Sequence, residues 1–292
     1  MRVAVFGASG MIGRALVPAL AEQHEVVAAS RSEHPDDDPR VRWVVADVAD
    51  PTDVDRALEG VDVVYYLVHS LGTPDFARRD RWAAATVALA ADRAGVSQIV
   101  YLGGLGDDRE ELSEHLQSRR ETERALSTGG VPVTAIRAAM VVGDGSAAFE
   151  TIVALVDRLP AMVCPRWVGT PTQPIALDDI VRYLAAVCGM DEALGQAFDA
   201  GGPQTMSYRD MIQRIARLRG RHPVIVEVPI LTPRLSSLWL KLVTPVNAAV
   251  ARPLIDGLRV PTLAHDNRLR ELVPFPLTSF DDAARAALAQ RR

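Results

Sequence analysis

Short apolar runs alternate with longer amphipathic stretches through the first two hundred or so residues of the chain. The runs have the length and near-continuous hydrophobicity of parallel strands that are covered on both faces. The stretches between them read as helices, and Gly95 follows one of them as a helix stop. This alternation predicts an α/β fold with a doubly wound parallel sheet. The predicted strands are 3–6, 25–29, 41–46, 61–68, 98–102, 131–142 and 195–200, and the predicted helices are 11–20, 53–58, 76–94 and 113–127.

The first predicted strand runs into a turn that contains Gly7, Gly10 and Gly13. Glycine adopts backbone angles closed to other residues, lets the main chain approach a pyrophosphate, and lets the next helix pack closely on the strand. The first amides of that helix would point at the phosphates. This context predicts a Rossmann-type dinucleotide site; the alternative is a turn that binds nothing. The predicted cofactor contacts here are Gly7, Ser9, Gly10, Met11, Ile12 and Gly13.

The residue after the second strand indicates which dinucleotide is preferred. A carboxylate in this region normally binds the adenosine ribose 2'-hydroxyl, whereas this chain has Arg31. A guanidinium suits a 2'-phosphate and has no acceptor for a hydroxyl proton, so NADP(H) is favoured over NAD(H). Arg14 would add a second positive charge. The alternative is that both arginines are solvated surface residues.

The regular alternation breaks over 146–174 and again after residue 202, where prolines are frequent. We interpret these stretches as a smaller substrate-side lobe, interleaved with the sheet rather than joined by a linker. The segment 33–40, rich in Asp and Pro, is expected to be a mobile insert. The chain is thus predicted to be one unit, 1–292, with a dinucleotide-binding part at 1–145 and 172–202 and the lobe at 146–171 and 203–292.

Composition narrows the possible partners and compartment. The chain has 292 residues, 48% of them hydrophobic, and a formal net charge of -5, which argues against a nucleic-acid partner. Cys164 and Cys188 give neither a metal-binding spacing nor a disulfide framework. With no signal-peptide pattern and no apolar run of the ~20 residues that a membrane span needs, we expect a cytoplasmic protein without a metal site. Oligomer formation and peripheral membrane contact stay open.

Several motifs resemble those of one enzyme superfamily. They are the glycine turn, the pair Asp47-Val48, the Leu-Val-His-Ser stretch at 67–70 and the Phe-Asp-Ala-Gly-Gly-Pro stretch at 198–203. Together they resemble the extended and atypical short-chain dehydrogenase/reductases, and are most similar to the NmrA-like and complex-I-accessory-subunit-like group, often labelled epimerase-like. The resemblance implies that Asp47 and Val48 contact the adenine, and that Leu67, Val68 and His69 run beside the nicotinamide ribose.

The catalytic residues of that superfamily are missing here. Active members carry a Ser or Thr after the fifth strand and a Tyr-x-x-x-Lys on the next helix, whereas this chain has glycines at 103–104 and then His115 and Arg119. The i, i+4 spacing keeps the two side chains on one helix face. In one interpretation His115 donates a proton and Arg119 holds the ribose hydroxyls. In the other, this is a solvated helix with local ion pairs. Ser70 and His69, at the carboxyl end of strand four, are alternative donors.

The apolar segment 231–258 contains Trp239 and is too short to cross a bilayer. It suits a lid over a lipophilic substrate such as a quinone or an acyl compound, or an interfacial helix; a core-packed lobe or subunit contact is the alternative. Tyr208 and Trp239 are candidates for a pocket wall, with core packing as the default.

Two functions therefore compete at this point. The first is an NADP(H)-dependent oxidoreductase acting on an unidentified small molecule, a carbonyl or quinone compound. The second is a protein that binds NADP(H) without turnover and serves as a sensor, regulator or assembly factor. The absent catalytic set favours the second, and the apolar lobe favours the first. A nucleotide-sugar epimerase ranks third, because its usual tyrosine is absent.

Overall fold

A computed structural model describes residues 1–70, 73, 75–106, 112–228 and 259–290. Thirteen strands lie in the described residues. They are β1 (Arg2–Phe6), β2 (Glu25–Ser30), β3 (Val41–Val45), β4 (Val63–Tyr66), β5 (Gln98–Gly104), β6 (Val133–Ala138), β7 (Val141–Val142), β8 (Ala161–Pro165), β9 (Pro171–Thr172), β10 (Ile175–Ala176), β11 (Ala197–Ala200), β12 (Met206–Ser207) and β13 (Val224–Val228).

The same residues contain nine α-helices and two short 3-10 helices. The α-helices are α1 (Met11–Ala21), α2 (Pro51–Ala57), α3 (Phe76–Ala94), α4 (Glu114–Leu126), α5 (Ala147–Arg158), α6 (Leu177–Ala186), α7 (Tyr208–Leu218), α8 (Arg268–Leu272) and α9 (Phe280–Gln290). The 3-10 helices are Arg166–Gly169 and Asp191–Ala193.

Seven strands form one parallel sheet in the order β11-β6-β5-β4-β1-β2-β3. Both faces of this sheet are covered, as the central strand β1 illustrates. Val3 and Val5 pack with α1 and α6 on one face, and Ala4 and Phe6 pack with α2 and α3 on the other. The predicted doubly wound, Rossmann-type α/β fold is confirmed.

Some predicted boundaries were wrong. The predicted strand 131–142 is two strands, because β6 ends at Ala138 and β7 leaves the main sheet to pair with β10. Strand four covers only Val63–Tyr66 of the predicted 61–68. The predicted helix 53–58 begins earlier, at Pro51, because the carboxylate of Asp50 accepts the Thr52 N–H at 2.8 Å and caps it.

A second apolar cluster lies outside the main sheet. Helices α5, α7 and α9 pack together through Phe149, Met211 and Phe280, beside the two-stranded pairs β7–β10, β9–β12 and β8–β13. Leu269 of α8 instead packs in the core beneath the main sheet, although it belongs to the 203–292 stretch. The division of the chain into two parts stays a prediction.

Two predicted segments need separate comment. The insert 33–40 lies in irregular structure whose far end is tied to the sheet by the Val26 N–H, which donates to the Arg40 carbonyl at 2.7 Å. The apolar segment 231–258 and Trp239 lie outside the described residues. None of the helices in the described part of the chain has both the length and the hydrophobicity needed to cross a membrane.

Candidate functional site

A cavity of about 490 Å³ opens at the carboxyl edge of the main sheet. It lies where β1 and β4 are neighbours although β2 follows β1 in sequence, which is the topological switch point at which open α/β sheets bind ligands. The residues that line it are Gly7, Gly10, Met11, Ile12, Gly13, Leu67, His69, Leu102, Gly103, Gly104, Leu105, His115, Leu116, Arg119, Ala138, Ala139, Met140, Val141, Gly145, Ser146, Ala147, Ala148, Tyr208 and Thr262.

The glycine turn forms one wall of this cavity and has no room for side chains. Gly7 has φ +87°, and a Cβ there would lie 3.1 Å from the backbone of Leu67. A Cβ on Gly13 would lie 2.3 Å from the Gly7 carbonyl oxygen. The first turn of α1 has no capping side chain and no acidic residue, so its amides face the cavity without a competing anion. This cradle fits a pyrophosphate.

The end of β2 carries a polar chain that extends from the glycine turn. Ser30, which is only 6% exposed, donates its hydroxyl hydrogen to the Ser9 hydroxyl oxygen at 3.1 Å. The Ser30 oxygen also lies 3.2 Å from Nε2 of His34, whose ring packs 4.2 Å from that of Trp43. Ser9 was predicted; Ser30 and His34 were missed, because nothing local marks them as contacts of the turn.

The two predicted arginines are both exposed. Arg31 forms no hydrogen bond or ion pair with any residue in the described part of the chain. Arg14 extends to within 3.7 Å of the position that a Cβ on Gly145 would occupy, at the cavity wall. Neither guanidinium forms an ion pair with a carboxylate of the described ranges, which leaves both charges available to an anion.

Asp47 and Val48 follow β3 and do not line the cavity. The Asp47 carboxylate accepts the Ala49 N–H at 2.9 Å and shapes the turn into α2. Val48 packs against the core on the α2 face of the sheet, as does Val68 after β4. An adenine contact at Asp47 or Val48 remains a prediction.

His69, His115 and Arg119 all line the cavity, so the structure brings these three predicted residues together. His69 is an exposed residue that lines the cavity, and partial desolvation of its ring, followed by the charges of Arg119 and then His115, lowers its pKa below the ordinary value. Desolvation, followed by the charge of Arg119, likewise lowers the pKa of His115 to about 3. Both imidazoles are therefore neutral at pH ~7, and each keeps one N–H donor.

Ser70 is not among the lining residues. Its backbone N–H donates to Oδ1 of Asp80 at 2.7 Å, and its hydroxyl also hydrogen-bonds that carboxylate. Asp80 is only 4% exposed, and its burial raises the pKa of its carboxyl group. The predicted donor role of Ser70 is not supported by this placement, because its hydroxyl bonds to α3 instead of facing the cavity. Asp80 was missed by the sequence analysis.

The end of β5 cannot supply the hydroxyl that active relatives use. A Cβ on Gly104 would lie 2.8 Å from Cδ2 of Leu116. The hydroxyl of Tyr101 donates a hydrogen bond to the Arg119 carbonyl oxygen at 3.1 Å. The Tyr66 hydroxyl is buried without a partner in the described part of the chain, and burial raises its pKa well above the usual range. Neither tyrosine lines the cavity.

Residues 7–158, just over half of the chain, match the family model described as NAD(P)H-binding. The chain belongs to this NAD(P)H-binding family. The match begins at the first glycine of the turn and contains every lining residue from β1 to α5. The cradle described above agrees with it, since the turn leaves room for phosphates and for nothing larger than hydrogen on its glycines.

Curated relatives of this NAD(P)H-binding protein include a reductase. An uncharacterised protein of Mycobacterium bovis is 31% identical over 238 residues, which are 79% of this chain. The chain spans only about a quarter of that relative's length, 25%. The (4-alkanoyl-5-oxo-2,5-dihydrofuran-3-yl)methyl phosphate reductase of Streptomyces griseus is 28% identical over 75% of this chain and 74% of its own.

Among solved structures, a nucleoside-diphosphate-sugar epimerase of Staphylococcus aureus superposes with a TM-score of 0.78. It is 18% identical, over 98% of this chain and 100% of its own, so the likeness concerns the fold alone. Together, the family match, the epimerase-type fold and the reductase relative confirm the resemblance to atypical short-chain dehydrogenase/reductases.

The cavity also has walls that sequence reasoning did not assign. Leu102, Leu105 and Leu116 contribute apolar lining from the end of β5 and from α4, and Met140 contributes apolar lining from the loop after β6. Tyr208, a candidate from the sequence, does line the cavity and is also buried against the α5–α7 cluster. The two histidines and Arg119 are the residues with ionisable nitrogen groups in the lining, and Ser146, Tyr208 and Thr262 add hydroxyl groups to it.

Proposed function

We propose that this protein is an NADP(H)-dependent oxidoreductase that acts on a lipophilic carbonyl or quinone compound. The observation that carries the proposal is that one cavity contains both the glycine cradle and an apolar pocket with His69, His115 and Arg119. The nicotinamide end of a dinucleotide held by the cradle would reach this second half, and the apolar residues there offer a substrate a place to bind beside it. The named activity of the Streptomyces relative, a reductase of an alkanoyl dihydrofuranone phosphate, supports this reaction class.

The residues divide into two groups under this proposal. Gly7, Gly10 and Gly13 with the first amides of α1 hold the pyrophosphate, and Arg31 with Arg14 holds the 2'-phosphate. The bound dinucleotide supplies hydride chemistry. The apolar walls exclude water around the substrate.

His115 acts as a neutral hydrogen-bond donor in this cavity. With a pKa of about 3 its imidazole is uncharged, so it donates an N–H to the substrate oxygen and is not a strong acid. Arg119 stays charged and lines the same cavity, where it attracts negative charge on the substrate. This arrangement requires no hydroxyl at Gly104.

The cofactor half is tested by titrating the purified chain with NADPH and with NADH while following cofactor fluorescence. We expect tighter binding of NADPH. Arg31→Asp should weaken NADPH binding by roughly ten- to a hundredfold, the value of one charge-assisted contact, and shift preference toward NADH. The control is Arg42→Asp, which makes the same charge change at an exposed residue near the amino end of β3, away from the cavity. This variant should bind both nucleotides as the parent chain does. Failure of the parent chain to bind either nucleotide, or a preference for NADH, would overturn this half.

A non-catalytic NADP(H)-binding sensor, regulator or assembly factor is the second candidate. One observation favours it, namely that Gly104 and the committed Tyr101 hydroxyl leave no conventional proton donor at the end of β5. NADPH oxidation with a panel of apolar aldehydes, ketones and quinones separates the two candidates. Turnover that His115→Ala reduces supports the oxidoreductase, whereas tight NADPH binding with no turnover on the whole panel supports the sensor. An epimerase stays third, because the likeness to epimerases is one of fold.

A further inference from the structure

The Arg119 guanidinium brings a positive charge into the cavity. It is partly buried, and no carboxylate among the residues that the structure describes is within ion-pair distance of it. Asp80 is an acid that feels the charge of Arg119, but burial raises the pKa of its carboxyl group and favours the neutral form. The Tyr101 hydroxyl, which donates to the Arg119 carbonyl oxygen at 3.1 Å, carries no charge. A partly desolvated charge without a counter-ion is costly unless a ligand supplies one.

The two histidines add hydrogen-bond donors without adding charge. His69 from the end of β4 and His115 from the first turn of α4 line the cavity together with Arg119, whose charge contributes to the lowered pKa of both. Because both are neutral, they neither repel the guanidinium nor compete with it for an anion. Each offers one N–H. The polar end of the cavity therefore combines one permanent cation with two neutral donors.

Much of the remaining lining of this cavity is apolar. Leu102 and Leu105 line it from the end of β5, Leu116 from α4, and Met140 and Val141 from the β6–β7 region. A ligand that satisfies both regions carries a negative oxygen group at one end and an aliphatic body at the other.

We propose that the Arg119 end of the cavity binds an anionic oxygen group of the substrate, a carboxylate or a phosphate ester, whose aliphatic remainder lies against the leucine side. The inference rests on the proposed function, since it names the substrate class of that same cavity. It differs from the expectation that Arg119 holds the ribose hydroxyls of the cofactor, because it assigns the guanidinium to the substrate. The phosphate in the name of the Streptomyces relative's substrate is consistent with it.

The probes are decanoate and decyl phosphate, with decanamide as the uncharged match, titrated calorimetrically into the full chain at about pH 7.5. We expect both anions to bind at least tenfold more tightly than decanamide. Arg119→Met keeps the apolar volume and removes the charge, so it should abolish this preference, while Arg119→Lys should retain part of it. Arg124→Met removes an exposed arginine from the same helix and should leave the preference unchanged.

Cofactor affinity is measured on the same variants by NADPH fluorescence. Unchanged NADPH binding in Arg119→Met together with a lost anion preference supports the inference. Equal binding of decanoate and decanamide by the parent chain overturns it, and so does an Arg119→Met variant that still prefers the anions but binds NADPH weakly. Because Arg119→Lys keeps the charge, a folded lysine variant with no anion preference also counts against it.

The same data separate this inference from the proposed function. A parent chain that binds no nucleotide but prefers the anions would refute the oxidoreductase and retain the anion site. A parent chain that binds NADPH and turns over neutral ketones without any anion preference would support the oxidoreductase and refute the anion site. Preference for only one of the two anions identifies which oxygen group the substrate carries.

Discussion

The neutral imidazole of His115 makes the folded chain sensitive to mild acid. Its pKa is about 3 in the fold and about 6.5 in the unfolded chain, so the unfolded chain binds the extra proton first as the pH falls. The stabilisation that comes from keeping this group neutral is complete above pH ~6.5 and is lost progressively below it. His115→Gln removes the titrating group and keeps a side chain that can hydrogen-bond.

The size of the effect follows from these two pKa values. At pH ~5 the unfolded histidine is almost fully protonated and the folded one is not, which corresponds to about 2 kcal/mol of lost stability. Water in the cavity reduces the desolvation, so we expect between about 1 and 2 kcal/mol. Most carboxylates with ordinary pKa values are still ionised at this pH, so they contribute little to the change in stability between about pH 7.5 and about pH 5.

The assay is urea unfolding at about pH 7.5 and about pH 5 for the parent chain and the variant. We expect the parent to lose more stability over this interval than His115→Gln does, by the amount given above. His222→Gln, at an exposed histidine outside the cavity, is the control and should keep the parental loss. A variant that loses as much stability as the parent would show that His115 is not held neutral, and would remove the basis for its role as a neutral donor.

Two further predictions follow from contacts at the same edge of the sheet. Gly104→Ser should lower the free energy of unfolding by about 1–3 kcal/mol because its Cβ meets the Leu116 side chain. Adding Leu116→Ala to the same chain should offset part of that loss, which thermal unfolding of the single and double variants measures. A Gly104→Ser chain as stable as the parent would contradict the packing described here. Asp80→Leu leaves the Ser70 N–H without its acceptor and should cost about 1–3 kcal/mol, whereas Asp80→Asn should cost less. Burial raises the pKa of Asp80, so its contribution to stability declines as the pH rises through that pKa. In urea unfolding from about pH 4 to 7, the free energy of unfolding of Asp80→Asn should therefore rise relative to that of the parent. A constant difference between the two chains over this pH range would refute the prediction.

The parts of the site that the sequence predicted are those with a local cause. The glycine turn is recognisable because strand, turn and helix are contiguous, and the steric reason for each glycine lies within that unit or against the end of β4. His115 and Arg119 share the cavity because i, i+4 spacing on a helix fixes their common face.

The parts that were missed or misplaced depend on distant segments. Ser70 and His69 are adjacent in sequence, but only His69 lines the cavity, because Asp80 of α3 holds Ser70. The break after β6 depends on β10, more than thirty residues further along, with which β7 pairs. Hydrophobic periodicity reports burial but not the partner that provides it.

The strand order has a consequence for how the chain acquires its site during synthesis. The central strand β1 is made first, and β2 and β3 extend the sheet in one direction before β4, β5, β6 and finally β11 extend it in the other. A nascent chain that ends near residue 158, where the family match ends, has the glycine turn but leaves β6 as an open edge, ready to pair with another chain. It also lacks Tyr208 and Thr262, so the cavity wall closes only after residue 262 has been made.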